Sequence, residues 1–242
     1  MPEGSPSIPP AVILCGGAGT RLRAEAPSIP KPLVEIGGQP ILWHVIQLFL
    51  AQGFLDVLLV TGFRADAIER FVMTERWLSG AAVRCLRTGT ETPTGGRLRR
   101  AAEALEAPTV CVTYADGLSD INLSRLVAYH RGHRSAATMT VVRPELPFGV
   151  AELDGDGVVC GFEEKPRSER WINGGFFCFE RDVLEQLEPD STLEREPLAR
   201  LAADGELRAF HHAGFWRCMD TYKDAVALNE LWASGSAPWK MW

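Results

Sequence analysis

The feature that most constrains this chain is its first apolar run. Ala11-Val12-Ile13-Leu14-Cys15 passes directly into Gly16-Gly17-Ala18-Gly19-Thr20-Arg21-Leu22. Five consecutive apolar residues suit a strand covered on both faces, as parallel strands are, and a glycine cluster suits a tight turn into a helix or loop. Comparable units then alternate along the chain. Residues 40–52, 65–71, 96–105 and 123–134 show helical apolar spacing, while 56–61, 83–86, 109–114 and 136–142 read as strands. This alternation predicts an α/β fold, a Rossmann-like, mostly parallel mixed sheet flanked by helices. Beyond 142 come short strands at 149–153 and 158–163 around the turn Asp154-Gly155-Asp156-Gly157. A strand at 172–179 and helices at 182–187, 196–204 and 222–232 follow, giving a small β-rich portion with C-terminal helices.

At 242 residues the chain fits one large α/β domain, and it shows no internal repeat or linker. Its net charge of -6 argues against a broad basic surface for nucleic acid, although single arginines can still meet the phosphates of a small ligand. Six cysteines lie scattered without a C-x-x-C pair, which disfavours a zinc or disulfide framework and fits free thiols in a reducing cytoplasm. Residues 1–10 lack the basic and apolar regions of a secretory signal and read as a flexible lead-in. No apolar stretch approaches the roughly 20 residues that span a bilayer, so no membrane partner is expected.

The glycine cluster sits where backbone N–H groups can meet phosphate oxygens, with Arg21 adding a cation. It is not a Walker loop, because no Gly-Lys-Ser/Thr follows. A dinucleotide-binding turn would place glycine where Leu22 stands, and its distal acid is met only loosely by Glu35. Lys31, between Pro30 and Pro32, is predicted in an extended segment, a fixed cation reaching over the phosphates. Asp116 follows an apolar strand and falls at the same carboxyl edge of the sheet as the glycines. His211-His212 look structural, since neighbours on an extended segment face opposite ways. Trp216, Trp232, Trp239 and Trp242 either pack the core or cover a second subunit, so a homo-oligomer is compatible with the sequence.

Together these motifs resemble a known family. The glycine loop followed by Pro30-Lys31-Pro32-Leu33-Val34-Glu35-Ile36-Gly37-Gly38-Gln39-Pro40 looks like the signature of sugar-1-phosphate nucleotidyltransferases. Thr94-Gly95-Gly96-Arg97-Leu98, Tyr114-Ala115-Asp116-Gly117, Phe162-Glu163-Glu164-Lys165-Pro166 and Ile172-Asn173-Gly174-Gly175 recur in order, as do Gly214-Phe215-Trp216 and Met219-Asp220-Thr221. Over nearly the whole chain they resemble the glucose-1-phosphate cytidylyltransferase branch.

The resemblance implies a nucleotide-diphospho-sugar transferase fold, in which 11–120 is the nucleotide-binding half and 121–242 holds the sugar phosphate and the C-terminal helices. It implies transfer from a nucleoside triphosphate to a sugar 1-phosphate, with Mg²⁺ as cofactor between Asp116 and Asp220. Arg21, Lys31 and Asp116 would carry the catalysis. Leu14, Gly16, Gly17, Gly19, Thr20, Arg21, Lys31, Thr94, Gly95 and Arg97 would hold the nucleotide. Tyr114, Gly117, Glu164, Lys165, Asn173 and Gly174 would hold the sugar phosphate, the glycines leaving room for the ring. CTP and glucose 1-phosphate are the substrates favoured. Two departures bear on the base: Ile29 replaces a lysine usual in that branch, and the stretch from Cys85 to Thr94 is shorter. The competing readings are the same chemistry with another nucleotide (dTTP or GTP) or another sugar or heptose 1-phosphate, a non-catalytic nucleotide- or sugar-phosphate-binding protein, and a dinucleotide oxidoreductase.

Overall fold

The computed structural model describes residues 7–17 and 29–242. The strand β1 (Ala11–Leu14) is followed by a 3-10 turn at Lys31–Leu33, then β2 (Glu35–Ile36), β3 (Gln39–Pro40) and the helix α1 (Ile41–Leu50). Next come β4 (Asp56–Thr61), α2 (Ala65–Thr74), β5 (Ala82–Arg87), α3 (Thr94–Glu103), β6 (Thr109–Tyr114), β7 (Gly117–Ser119) and α4 (Leu123–His133). The second half contains β8 (Ala137–Val142), β9 (Val150–Leu153), β10 (Val159–Glu163), β11 (Ile172–Glu180), α5 (Arg181–Glu185) and α6 (Glu196–Ala203). It ends with β12 (Leu207–His211), β13 (Trp216–Cys218) and α7 (Tyr222–Ala233).

Seven strands form the central sheet in the order β12-β8-β11-β6-β1-β4-β5. The run β6-β1-β4-β5 is parallel, as the βα alternation predicts, while β11 is antiparallel to both β6 and β8. The sheet is therefore mixed. Along β1 the side chains alternate between two cores: Ala11 and Ile13 pack with α1, α2, α4 and α7, and Val12 and Leu14 with α3, α5 and α6. Burial on both faces is why the first run had to be wholly apolar.

Four expectations change. Lys31 is not extended: Pro30 keeps an extended backbone (ψ 141°), and Lys31–Leu33 forms a 3-10 turn closed by Val34 N–H on the Lys31 carbonyl at 3.1 Å. Pro32 is tolerated because the first helical turn needs no N–H from it. The lead-in is not loose throughout, since Pro9 and Pro10 are buried and the Pro10 carbonyl accepts from Cys111 N–H at 3.0 Å. α3 begins at Thr94, two residues before the apolar spacing starts, which puts Thr94 and Gly95 in its first turn. The short strands β7, β12 and β13 were not foreseen; β7 and β13 pair with each other outside the main sheet.

The C-terminal tryptophans mostly pack inward. Trp239 is fully buried, stacked on Phe215 and Trp232, and its indole N–H donates to Nδ1 of the buried His44 at 3.3 Å. His44 donates through Nε2 to the Ile36 carbonyl at 2.8 Å, so it sits as the neutral Nε2–H form. No helix among the described residues is long and apolar enough to cross a membrane.

Candidate active site

The carboxyl ends of β1 and β6 border a cleft of about 350 Å³, whose lining includes Leu14, Cys15, Gly16, Gly17, Lys31, Thr94, Arg97, Tyr114, Asp116 and Asp220. A site at this edge is what a parallel α/β sheet provides. Its charged centre is Lys31. The ammonium donates to Asp116 Oδ2 and, at 2.7 Å, to Asp220 Oδ1, with the Lys31 side chain only 13% exposed. Burial works against this cation, yet the two carboxylates outweigh it and hold its pKa above the ordinary lysine value.

The two aspartates meet because β7 and β13 pair. Gly117 lies opposite Cys218, and Met219 N–H donates to the Asp116 carbonyl at 2.9 Å, so the flanking aspartates come out side by side. The capping box of α7 fixes the second one: Asp224 Oδ2 accepts from the N–H of Asp220 at 3.1 Å and of Thr221 at 2.8 Å. A three-residue ladder and a helix cap therefore aim both carboxylates at Lys31.

Arg97 borders the cleft yet spends its donors on the protein. It is 3% exposed, and its two terminal nitrogens donate to the carbonyls of Gly16 (3.0 Å), Thr61 (3.0 Å) and Thr90 (3.1 Å) and to Thr88 Oγ1 (2.5 Å). Burial lowers its pKa. Arg97 thus ties together three loops at the carboxyl edge of the sheet, under the glycine turn. Gly16 is explained by the same contact, because a Cβ there would stand 2.0 Å from the guanidinium, whereas one at Gly17 would meet nothing among the described residues within 4 Å. The first glycine makes room for an arginine; the second leaves the backbone open to a ligand. Gly19, Thr20 and Arg21 lie outside the described residues.

The sugar side departs in a similar way. Gly174 and Gly175 make room for protein: a Cβ at 174 would press on Val142 and the Thr140 carbonyl at 3.0–3.1 Å, and one at 175 on the Tyr114 ring at 2.9 Å. Asn173 sits at an irregularity in β11, its Oδ1 accepting from Gly175 N–H at 2.8 Å. Its amide also bears on the Tyr114 hydroxyl. Gly117 is buried in β7. Glu164 and Lys165 are exposed at the end of the β9–β10 hairpin, Nζ 3.8 Å from Oε1, with Lys165 in a left-handed conformation (φ 48°). Neither lines the cleft.

One acid at the cleft's edge was missed from sequence. Glu194, just before α6, accepts from Thr94 Oγ1 at 2.7 Å through one oxygen and from the Tyr114 hydroxyl through the other. The neighbouring backbone joins in, with Leu193 N–H on Thr94 Oγ1 at 2.9 Å and Gly95 N–H on the Ser191 carbonyl at 2.9 Å. Only the fold brings Glu194 to Thr94, and neither periodicity nor motif spacing signals it.

Asp116 and Asp220 supply hard carboxylate oxygens next to a cleft open enough for phosphates, which is the donor set Mg²⁺ takes when water and substrate complete its shell. No group of three or more His, Cys, Asp or Glu that could hold a metal occurs among the described residues, so a protein-only metal cage is not built here. His211 packs against Trp171, while His212 lies 3.0 Å from Asp120.

Comparison with known proteins identifies the family and the fold. The family model for nucleotidyl transferases matches residues 10–217. A probable glucose-1-phosphate cytidylyltransferase of Bacillus subtilis is 37% identical, covering 96% of this chain and 99% of its own. The glucose-1-phosphate cytidylyltransferase of Salmonella typhi is 39% identical over the same shares. In fold, the chain is similar to the crystal structure of HddC from Yersinia pseudotuberculosis complexed with GMP-PN, at 23% identity and a TM-score of 0.77, covering 93% of this chain and all of that one.

Proposed function

The chain belongs to the nucleotidyl transferase family, and we propose that it condenses CTP with glucose 1-phosphate, releasing pyrophosphate and CDP-glucose. The observation that carries this reading is the Lys31–Asp116–Asp220 cluster beside the glycine turn. The choice of base and sugar follows the names of the full-length relatives.

In the reaction a phosphate oxygen of the sugar 1-phosphate attacks the α-phosphorus, and the bond from that phosphorus to the β-phosphate oxygen breaks. The nucleophile is already ionised at neutral pH, so no general base is required. The difficulty is electrostatic, since two anions must approach while charge builds on the leaving group. Lys31 supplies a fixed positive charge, held between the two aspartates. Asp116 and Asp220 would hold Mg²⁺, which when bound neutralises the phosphates. Open backbone at Gly17 accommodates phosphate, with Arg97 bracing the turn from beneath. Arg21 adds a second cation to the triphosphate, and Lys165 is the cation for the sugar phosphate. The six free cysteines suit work in the cytoplasm.

The test is a pyrophosphate-release assay with Mg²⁺, each nucleoside triphosphate and a panel of sugar 1-phosphates. Turnover is expected with CTP and glucose 1-phosphate above all other pairs. Another preferred pair would correct the specificity, and silence across the panel from folded protein would refute the reading.

A further inference from the structure

Glu194 stands outside the cleft lining yet holds two hydroxyls that are part of it. Thr94 opens α3 on the nucleotide side, and Tyr114 ends β6 on the sugar side. The bonds have a direction. A carboxylate only accepts, so both hydroxyls must donate to Glu194. The Tyr114 oxygen is then left as an acceptor, facing the Asn173 amide. Asn173 Oδ1 is already fixed by Gly175 N–H at 2.8 Å, which turns Nδ2 toward Tyr114. The chain of donors runs from Asn173 through Tyr114 to Glu194, and a second arm arrives from Thr94.

We infer that Glu194 is a positioning residue for the transfer: by accepting from Thr94 and Tyr114 at once, it fixes the nucleotide and sugar walls of the cleft relative to each other. A glutamine at this position could accept from only one hydroxyl, and its NH₂ would oppose the other. The freed tyrosine hydroxyl could then reverse, which conflicts with the Asn173 amide unless that amide gives up Gly175. This assignment rests on the reading of the cleft as a sugar-phosphate nucleotidyltransferase site.

The experiment is a kinetic cycle on the full chain, using whichever substrate pair the wild type turns over fastest. Tyr114→Phe is expected to raise the KM for the sugar 1-phosphate alone, and Thr94→Val the KM for the nucleotide alone. Glu194→Gln should raise both, each by about 10-fold, the loss of a charge-assisted hydrogen bond. In the double variant Glu194→Gln/Tyr114→Phe, the sugar KM should be no worse than in the poorer single variant, since both changes break one chain. Additive effects on the sugar KM, or a Glu194→Gln enzyme within about twofold of wild type on both, would overturn the assignment. Glu194→Asp, too short to span both hydroxyls, runs the same cycle if the glutamine variant shows no melting transition. A wild type without turnover refutes the functional reading instead, so the two failures are told apart.

Discussion

Replacing Arg97 with methionine separates a brace from a ligand contact. The guanidinium is 3% exposed and donates to four protein acceptors, three of them backbone carbonyls. Methionine fills much of the volume but removes four donated bonds, while the Gly16 and Thr61 carbonyls keep the N–H groups of Phe63 and Thr88 and Thr90 stays exposed to water. Each lost hydrogen bond to a charged group costs about 1.5–3 kcal/mol. The guanidinium's own desolvation offsets part of this, since burial is what lowers its pKa. The net expectation is a loss of about 3–5 kcal/mol, roughly two such bonds after that offset. For a chain of this size that lowers the melting temperature by about 6–20 °C. Arg97→Lys should fall between, because one ammonium cannot reach loops on several sides. The assay is thermal unfolding without ligand, paired with nucleotide titration. A methionine variant that melts within about 2 °C of wild type but no longer binds nucleotide would refute the brace and restore Arg97 as a direct contact.

Further outcomes follow from the same geometry. Gly16→Ala forces a methyl into the guanidinium and should cost about 1–3 kcal/mol, whereas Gly17→Ala, with nothing among the described residues within 4 Å, should leave the melt unchanged; equal effects in a denaturant titration would contradict the packing. Chelation by EDTA should stop pyrophosphate release and Mg²⁺ restore it. Asp116→Asn should cut turnover by about 10²–10³-fold with little change in melting, and a variant retaining wild-type rates would remove Asp116 from the site. Burial, against its bond to Ile36, lowers the His44 pKa from 6.5 to about 4, so protonation favours the unfolded chain. Stability is therefore complete above about pH 6.5 and declines by about 3 kcal/mol as the pH falls to about 4. His44→Phe should be weaker at pH 7 yet lack this part of the slope in urea melts; an unchanged slope would locate the acid sensitivity elsewhere.

The parallel core was legible because its determinants are local. Apolar runs such as those at β1, β4 and β6 have few other uses, and the helices between them keep their period. Lys31, Asp116 and Asp220 were named through family motifs, and the fold brings them together. Roles decided by tertiary packing were not legible. Arg97 and Gly16 read as two ligand contacts; both border the cleft, and packing also makes them partners to each other. Gly174 and Gly175 looked like space for a sugar ring, and the space is filled by Val142, Thr140 and Tyr114. Short strands such as β7 and β13, three residues each, carry too little periodicity to be seen before their partners are known.

The β7–β13 pairing also sets a time for the site to appear. A chain emerging from the ribosome can assemble β6-β1-β4-β5 and present its glycine turn well before residue 216 has been made. Until β13 docks, Asp116 has no neighbouring carboxylate and Lys31 has only one partner. The nascent enzyme therefore holds a phosphate-binding edge without the charge arrangement that would make it reactive, and acquires that arrangement only when the last short strand closes.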